Sequence, residues 1–386
     1  MKRKLCIVTS TRADYGPMRW LIEDIKNDPD VEIQLVVTGA HLSTEHGYTY
    51  NEILKDGFVA DEIVEMPLAQ TDRKSLVKAM GQCQIGMADA LDRLKPDILV
   101  VLGDRYELLP ICSSAVVMNI PIAHISGGDV TEGAIDEQVR HAITKMAWLH
   151  FPGTVDSARR ILQMGESADR VFSVGEPGLD ALCRAEPCSK QEIAKDLELN
   201  VDAKWVLLTY HPETMGSIEE DLDRVKNVVE FFSTQGDVHL VATGANADAG
   251  GSQINDYLQR MSREYSERIC FHMNLGVRRY MQFLRHASCV AGNSSSGIIE
   301  APGLKVPVLN IGERQQGRYI SKNIINCGGS VDELNEAYQR IESAEFLREL
   351  AETEAYYGDG QTSGRIVKIL KEIPLETLKK TFNEGG

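Results

Sequence analysis

The chain has 386 residues, 43% of them hydrophobic and 25% charged, with no low-complexity stretch; this is enough for two ordinary domains and excludes a disordered or fibrous protein. A formal net charge of −16 without a lysine–arginine cluster argues against nucleic acid as a partner, while local arginines remain able to hold a nucleotide. No apolar run approaches the roughly 20 residues that span a bilayer, and the eight cysteines show neither a CxxC pair nor a zinc spacing, so a cytoplasmic protein with reduced thiols is expected.

The opening MKRKLCIVTS resembles a signal peptide only superficially. Its apolar run gives way after about five residues to charged TRADYG, as a first core strand would. Strands are expected in the first half at Leu5–Thr9, Ile33–Thr38, Ile98–Leu102, Pro121–Ile125, Leu149–Pro152 and Val171–Val174. In the second half they are expected at Trp205–Tyr210, Val238–Thr243, Ile269–His272, Cys289–Ala291 and Val306–Ile311. Several are continuous apolar runs, the pattern of strands buried on both faces. Amphipathic stretches such as Arg73–Leu94, Ile135–Ala147 and Ile218–Ser233 lie between them.

This alternation predicts an α/β protein of parallel sheets with right-handed crossovers. It pauses over the polar, proline-containing segment 175–204, which places a domain boundary at roughly 176–190. Two Rossmann-like doubly wound domains follow, residues 1–175 and 190–360, with a further segment at 361–386. Ligands are then expected at the carboxyl ends of the strands, in a cleft between the domains.

The polar clusters fall where that architecture wants them. Thr11-Arg12-Ala13-Asp14, Gly39-Ala40-His41, Gly103-Asp104-Arg105 and Ser126-Gly127-Gly128-Asp129 each follow a strand of the first half. His211-Pro212-Glu213, Gly244-Ala245-Asn246, Asn293–Gly297 and Gly312-Glu313-Arg314 do so in the second.

GNSSSG at 292–297 joins a strand to a helix, and the helix's first amides, the hydroxyls and the dipole suit a phosphate; a plain serine cap is the blander reading. Glu300, further along that helix, either accepts from ribose hydroxyls or is solvated. His211 closes a strand before a proline, placed to donate to a diphosphate oxygen or simply to support the turn. Arg314 and Arg318 flank a loop, as phosphate ligands or as solvated side chains.

TRADYG is no dinucleotide fingerprint, and no GxGxxG occurs anywhere, which speaks against NAD. Arg12 with Asp14, and Asp104 with Arg105, each set a cation and a carboxylate after a strand, as site residues or as local salt bridges. HISGGDVTEGAIDEQVRHAITK at 124–145 adds Asp129, Glu132, Asp136 and Glu137, with His141 one turn beyond Glu137. Asp136 at a helix start is ordinarily a cap, yet several neighbouring acids also suit proton transfer. His41, His46, His124 and Asp129 fit no metal-site spacing, so no metal is expected.

Taken in order, TRADYG, GDR, HISGGD…IDE..RHAITK, YHPET, GNSSSG and GERQQGR make the chain resemble the hydrolysing UDP-N-acetylglucosamine 2-epimerases of sialic acid and related nonulosonic acid pathways. The resemblance implies two Rossmann-like domains in the GT-B arrangement, a C-terminal helix near Arg365–Ile373 returning to the first domain, a homodimer or homotetramer, and no metal or redox cofactor. It implies that Arg12, His211, Ser294, Ser295 and Arg314 hold the UDP diphosphate, Glu300 the ribose, and that Arg105 lies on the nucleotide side. Asp14, Asp104 and Asp136 would line the reacting sugar, and His211 would serve catalysis as well.

The chain departs from the family in one place. Family members often have HIEGGE, whereas here Ser126 stands in the place of the first glutamate and Asp129 in that of the last. Either Asp129 takes over an acid's work or the sugar differs from N-acetylglucosamine, family relatives acting also on 4-amino-4,6-dideoxy sugars. The implied product is a free N-acetylmannosamine-type sugar, released with UDP through a 2-acetamidoglycal. The alternatives are a non-hydrolysing epimerase that returns UDP-N-acetylmannosamine, a GT-B glycosyltransferase, for which no acceptor motif is found, and a nucleotide-sugar-binding regulatory module.

Overall fold

Short β-branched runs become strands because a parallel sheet covered by helices buries both of their faces. The computed structural model describes residues 2–384 apart from 70–71, 132–133, 214–215, 247, 249 and 376–378. The chain divides into unit 1, Met1–Val130 with Ile135–Cys183 and Tyr357–Gly386, and unit 2, Thr131–Ala134 with Arg184–Tyr356.

Unit 1 carries strands β1 (Arg3–Thr9), β2 (Val31–Val37), β3 (Glu62–Ile63), β4 (Ile98–Leu102), β5 (Ile122–Ile125) and β6 (Leu149–Phe151). Its helices are α1 (Arg12–Asn27), α2 (Tyr50–Lys55), α3 (Arg73–Leu94), α4 (Leu108–Val117), α5 (Asp136–Met146) and α6 (Val155–Gln163). Helix α7 (Asp180–Arg184) stands at the boundary, and unit 2 begins with α8 (Lys190–Asp196) and β7 (Lys204–Thr209). There follow α9 (Ile218–Thr234), β8 (Val238–Thr243), α10 (Gly251–Glu264), β9 (Ile269–His272), α11 (Gly276–His286), β10 (Cys289–Gly292) and α12 (Ser295–Gly303). Strands β11 (Val308–Ile311) and β12 (Ile324–Cys327) and helices α13 (Val331–Ile341) and α14 (Ala344–Ala351) complete unit 2, and α15 (Thr362–Glu372) returns to unit 1.

Both sheets have six strands, in the orders β3-β2-β1-β4-β5-β6 and β12-β11-β10-β7-β8-β9, and every strand pair within them is parallel. Each order is that of a doubly wound Rossmann sheet, reversing once, between β1 and β4 and between β7 and β10. The fold is two Rossmann-like domains.

Two details of the strands differ from expectation. Val171–Val174 forms no strand; only Val171 bridges, in parallel, to His150. Strands β3 and β12 were not foreseen, being two and four residues long at sheet edges. The boundary falls between Cys183 and Arg184, and the chain re-enters unit 1 at Tyr357, ahead of residue 361. Helix α15 then packs on α1, with Arg3 donating to the carbonyls of Leu370 (2.6 Å) and Ile373 (2.9 Å) at its C-terminal end. All eight cysteines are free, four of them buried and Cys183 exposed. Among the described residues no helix is long and apolar enough to cross a membrane.

Gly292, which closes β10, has φ 130°, and a Cβ there would meet the Thr209 carbonyl oxygen of β7 at 2.1 Å. The chain must leave the sheet here with no side chain between two backbones. Gly292→Ala should therefore lower stability by about 3 kcal/mol, read as a shifted urea midpoint. An unchanged midpoint would mean that β7 and β10 can separate at no cost.

Candidate active site

The residues singled out in the sequence collect at the two strand-order reversals, one set in each unit. In unit 2 the loops leaving β7 and β10 are joined by a reciprocal pair. The His211 amide donates to Asn293 Oδ1 (2.7 Å), and Asn293 Nδ2 donates to the His211 carbonyl (2.8 Å). Asn293 is fully buried, and its carbonyl accepts from Gln315 Nε2 (2.7 Å) and Arg314 Nη1 (3.3 Å). His211, 82 positions before Asn293, and Arg314 and Gln315, 21 and 22 positions after it, are thereby fixed around one turn.

The His211 ring has a defined tautomer. Its Nδ1 accepts the Asn246 amide at 3.1 Å, so the proton of the neutral ring sits on Nε2, a donor suited to an anionic oxygen. Ser294 caps α12, accepting from the Ser296 amide (3.3 Å), and Ser295 opens the helix. The positive end of the α12 dipole thus adjoins His211 and Arg314 through Asn293.

Two acceptors in this region, Glu300 Oε2 and Gln315 Oε1, are buried without a hydrogen-bond partner among the described residues. Buried acceptors are costly when unmet, and a ligand bearing hydroxyl or N–H donors would satisfy them. Burial pushes the Glu300 carboxyl up from its ordinary value, opposed by Ser296 and by the charge of Arg318.

The loop carrying Arg314 is held from below by Glu213. Its carboxylate accepts the amides of Glu313 (2.7 Å) and Arg314 (3.3 Å) and pairs with Arg224 (3.0 Å). Asp221 in turn accepts from the Tyr210 hydroxyl (2.8 Å) and the Glu213 amide (2.9 Å). Glu213, Asn293 and Gln315 gave no separate signal in the sequence beyond lying inside the motifs.

In unit 1 the carboxylates gather around Arg140, whose side chain is only 1% exposed. Arg140 donates to Asp104, to Glu137 (2.9 Å) and to the Asp129 carbonyl (3.1 Å). One buried guanidinium thus joins the loop after β4, the turn after β5 and helix α5. Asp136 opens α5 and is buried; the helix has Ile135 at its N-cap and no side-chain cap, so Asp136 does not take the capping role its position suggests. Glu132 lies outside the described residues. His141 bonds to Glu137 (2.9 Å).

His124 fixes the spacing of this group. It is fully buried between the Gly103 carbonyl, to which Nε2 donates (2.7 Å), and the Thr144 hydroxyl at Nδ1 (3.2 Å). The turn after it needs glycine. Gly128 has φ 74°, and a Cβ there would lie 2.3 Å from the Ser157 carbonyl oxygen. At the far end of α5, Lys380 of the C-terminal tail donates to the carbonyls of Lys145 (2.6 Å) and Ala147 (2.5 Å).

Asp14 is a different kind of carboxylate. It completes the capping box of α1 with Thr11 and accepts from Thr9, from the Ser10 hydroxyl (2.7 Å) and from the Ser10 and Thr11 amides (both 3.1 Å). Burial pushes its carboxyl up and these bonds pull it down. Arg12, half-buried, opens the same helix. Arg105 is buried, turned to Glu107 (3.4 Å) and set over the Tyr106 ring. His41 is enclosed by the hydroxyls of Thr9 (2.9 Å) and Thr49 (2.7 Å). Among the described residues no three His, Cys, Asp or Glu side chains form a group able to hold a metal.

Residues 23–371 match the family described as UDP-N-acetylglucosamine 2-epimerase. A "GDP/UDP-N,N'-diacetylbacillosamine 2-epimerase (hydrolyzing)" of Campylobacter jejuni is 39% identical over 383 residues, 99% of each chain. A "UDP-N,N'-diacetylbacillosamine 2-epimerase (hydrolyzing)" of Legionella pneumophila is 33% identical over 98% of each chain. The crystal structure of a Neisseria meningitidis UDP-GlcNAc 2-epimerase bound to UDP-GlcNAc superposes with a TM-score of 0.77 at 20% identity, covering 96% of this chain and 99% of that one. The chain belongs to the UDP-N-acetylglucosamine 2-epimerase family, among its hydrolysing 2-epimerases.

His41 and His124 carry a pH dependence with them. Burial pulls both from the ordinary 6.5 down to about 3, so each is neutral in the folded chain. Below pH 6.5 the unfolded chain takes up the protons first. The stability these rings contribute is whole above that pH and drains as pH falls toward 3, by about 1.4 kcal/mol per unit for each ring. Thermal melts taken between pH 7 and pH 4 should show Tm falling steadily; a flat profile would contradict two neutral buried rings.

Proposed function

We propose that the protein takes a UDP-linked N,N'-diacetylbacillosamine, a 2,4-diacetamido-2,4,6-trideoxy sugar, and releases its free 2-epimer and UDP. The observation that carries the substrate is the near-full-length 39% identity to a relative named for that sugar. UDP-N-acetylglucosamine is the second reading, favoured by the family description. A "Polysialic acid biosynthesis protein P7" of Escherichia coli, 32% identical over 84% of this chain, supports a place in nonulosonic acid supply. We place the enzyme in the cytoplasm as a homodimer or homotetramer without metal or redox cofactor.

The chemistry sets what the residues must do. The C2 hydrogen of the sugar is not acidic, since no carbonyl adjoins it. It can leave only as the C1–O bond breaks and its electron pair passes to the diphosphate. In this reading the His211 Nε2 proton, Ser294, Ser295, Arg314 and Arg12 stabilise the departing charge, a pre-organised electrostatic effect. Glu300 meets the ribose hydroxyls. A carboxylate takes the C2 proton, giving a 2-acetamidoglycal and UDP. Water then adds its oxygen at C1 while an acid returns a proton to C2 from the other face.

Asp104, bonded to Arg140 and partly exposed, and Asp136, buried at the start of α5, share the two proton transfers in this reading. Asp129 assists from the turn. Asp14, occupied by the α1 cap, and Arg105, paired with Glu107, act by positioning the loops that carry Arg12 and Asp104.

Two experiments test this. In D2O, the sugar–UDP substrate should give UDP and a free 2-epimer deuterated at C2, followed by NMR. Recovery of an epimerised UDP-sugar would replace the hydrolytic reading, and turnover of UDP-N-acetylglucosamine alone would replace the substrate. Asp104→Asn should cut kcat at least about a hundredfold with UDP affinity little changed; an equal loss in both would remove Asp104 from the chemistry.

A further inference from the structure

The hydration step leaves one proton without a destination. When water adds at C1, its oxygen forms the new bond and the C1–C2 π pair takes the proton that the acid returns. The water must still shed a proton of its own. Asp104 and Asp136 are committed to the two transfers at C2, which leaves this one to another acceptor.

Beside Asp104 stands a hydroxyl backed by a carboxylate. The Gly103 amide donates to the Ile125 carbonyl (3.0 Å), and Asp104 and Ser126 are the next residues of the two neighbouring segments. They leave the carboxyl edge of the sheet side by side. Ser126 is half-buried, and its hydroxyl donates to Glu176 Oε2 at 2.5 Å, so the Oγ lone pairs remain able to accept an O–H from water. The same turn carries the Asp129 carbonyl, which accepts from Arg140, the cation that also holds Asp104.

Glu176 is anchored so as to make this contact. Its amide donates to the Tyr357 carbonyl (2.7 Å) and its carbonyl accepts from the Thr362 hydroxyl (3.4 Å). A Cβ on Gly153 would come within 2.0 Å of Glu176 Oε1, so glycine at 153 keeps the space that the carboxylate fills. Glu176 is buried, and no step of UDP departure uses it.

We propose that Ser126 and Glu176 together take the proton of the water that adds at C1. The water passes its proton to Ser126 Oγ as the Ser126 proton passes to Glu176 Oε2. Ser126 is then a catalytic residue, and Glu176 positions its hydroxyl and receives the charge. The protons balance. Over one turnover the C2 base and Glu176 each gain one and the acid loses one. Returning one to the acid leaves the single proton released when the diphosphate departs fully ionised. The inference rests on the glycal route proposed above and concerns only its second step.

With UDP-N,N'-diacetylbacillosamine, the unaltered enzyme should give UDP and free sugar in equal amounts by NMR. Ser126→Ala and Glu176→Gln should still release UDP. Their free-sugar formation should fall at least about a hundredfold, with the 2-acetamidoglycal accumulating in its place. Gly153→Ala should shift the product the same way by displacing the carboxylate. The ratio of glycal to free sugar does not depend on how much of a variant folds. Variants that keep free sugar as their product, or that lose UDP release in step with it, would overturn the inference. An unaltered enzyme that releases no UDP would instead remove the reaction on which it rests.

Discussion

Each sheet pairs its first strand with two parallel neighbours that carry the chain away in opposite directions. β1 lies between β2 and β4, and β7 between β8 and β10. Loops leaving such a central pair diverge over opposite faces of the sheet and leave a crevice at its carboxyl edge. Thr11 and Arg12 leave β1 there, Asp104 leaves β4, His211 leaves β7, and Asn293 and Ser294 leave β10. The parallel registers of Leu5 with Ile98 and of Thr209 with Gly292 set where those loops start. A slip of one residue would turn each side chain to the other face, so the chemistry depends on apolar ladders that touch no ligand.

The units differ in how they hold charge. Unit 2 gathers donors: a ring with its proton on Nε2, an arginine fixed by Asn293, and a helix start. Unit 1 gathers acceptors around one buried cation. Without Arg140, Asp104 and Glu137 would have to shed charge or move apart. Sharing one guanidinium offsets the charge of both carboxylates. Neutral His124 keeps the Asp104 loop and helix α5 at a fixed spacing, since a protonated ring would lose the bond it accepts from Thr144.

Much of this was legible in the residues because the sheets are parallel. Continuous apolar runs marked the long strands, and Arg73–Leu94 was readable as one helix over its whole length. Edges were harder. Glu62–Ile63 has too few residues for any period, and Val171–Val174 has strand composition but reaches only one bridge, to His150. The motifs marked where chemistry gathers but not which side chains serve it. Asp14 and Asp104 look alike in TRADYG and GDR, yet one closes a helix cap and the other faces Arg140. That difference arises from Thr9 and Ser10 on one side and from residue 140 on the other, contacts that no spacing encodes. Glu213 and Asn293 were hidden for the same reason, their partners lying 100 and 82 positions away.

Ser126 shows how a departure in a motif can be absorbed locally. It has φ 61°, a left-handed conformation that most side chains avoid, and its hydroxyl donates to Glu176 Oε2 at 2.5 Å. Glu176 is buried; its amide donates to the Tyr357 carbonyl (2.7 Å), and a Cβ on Gly153 would meet its Oε1 at 2.0 Å. A carboxylate is therefore beside residue 126 after all, reaching in from the segment that follows β6. A glutamate at 126 would bring a second carboxylate against Glu176, and one of the two would have to be protonated or displaced. Serine at 126 and glutamate at 176 thus form one unit, and the turn between His124 and Asp129 keeps its shape because a short donor meets that acid.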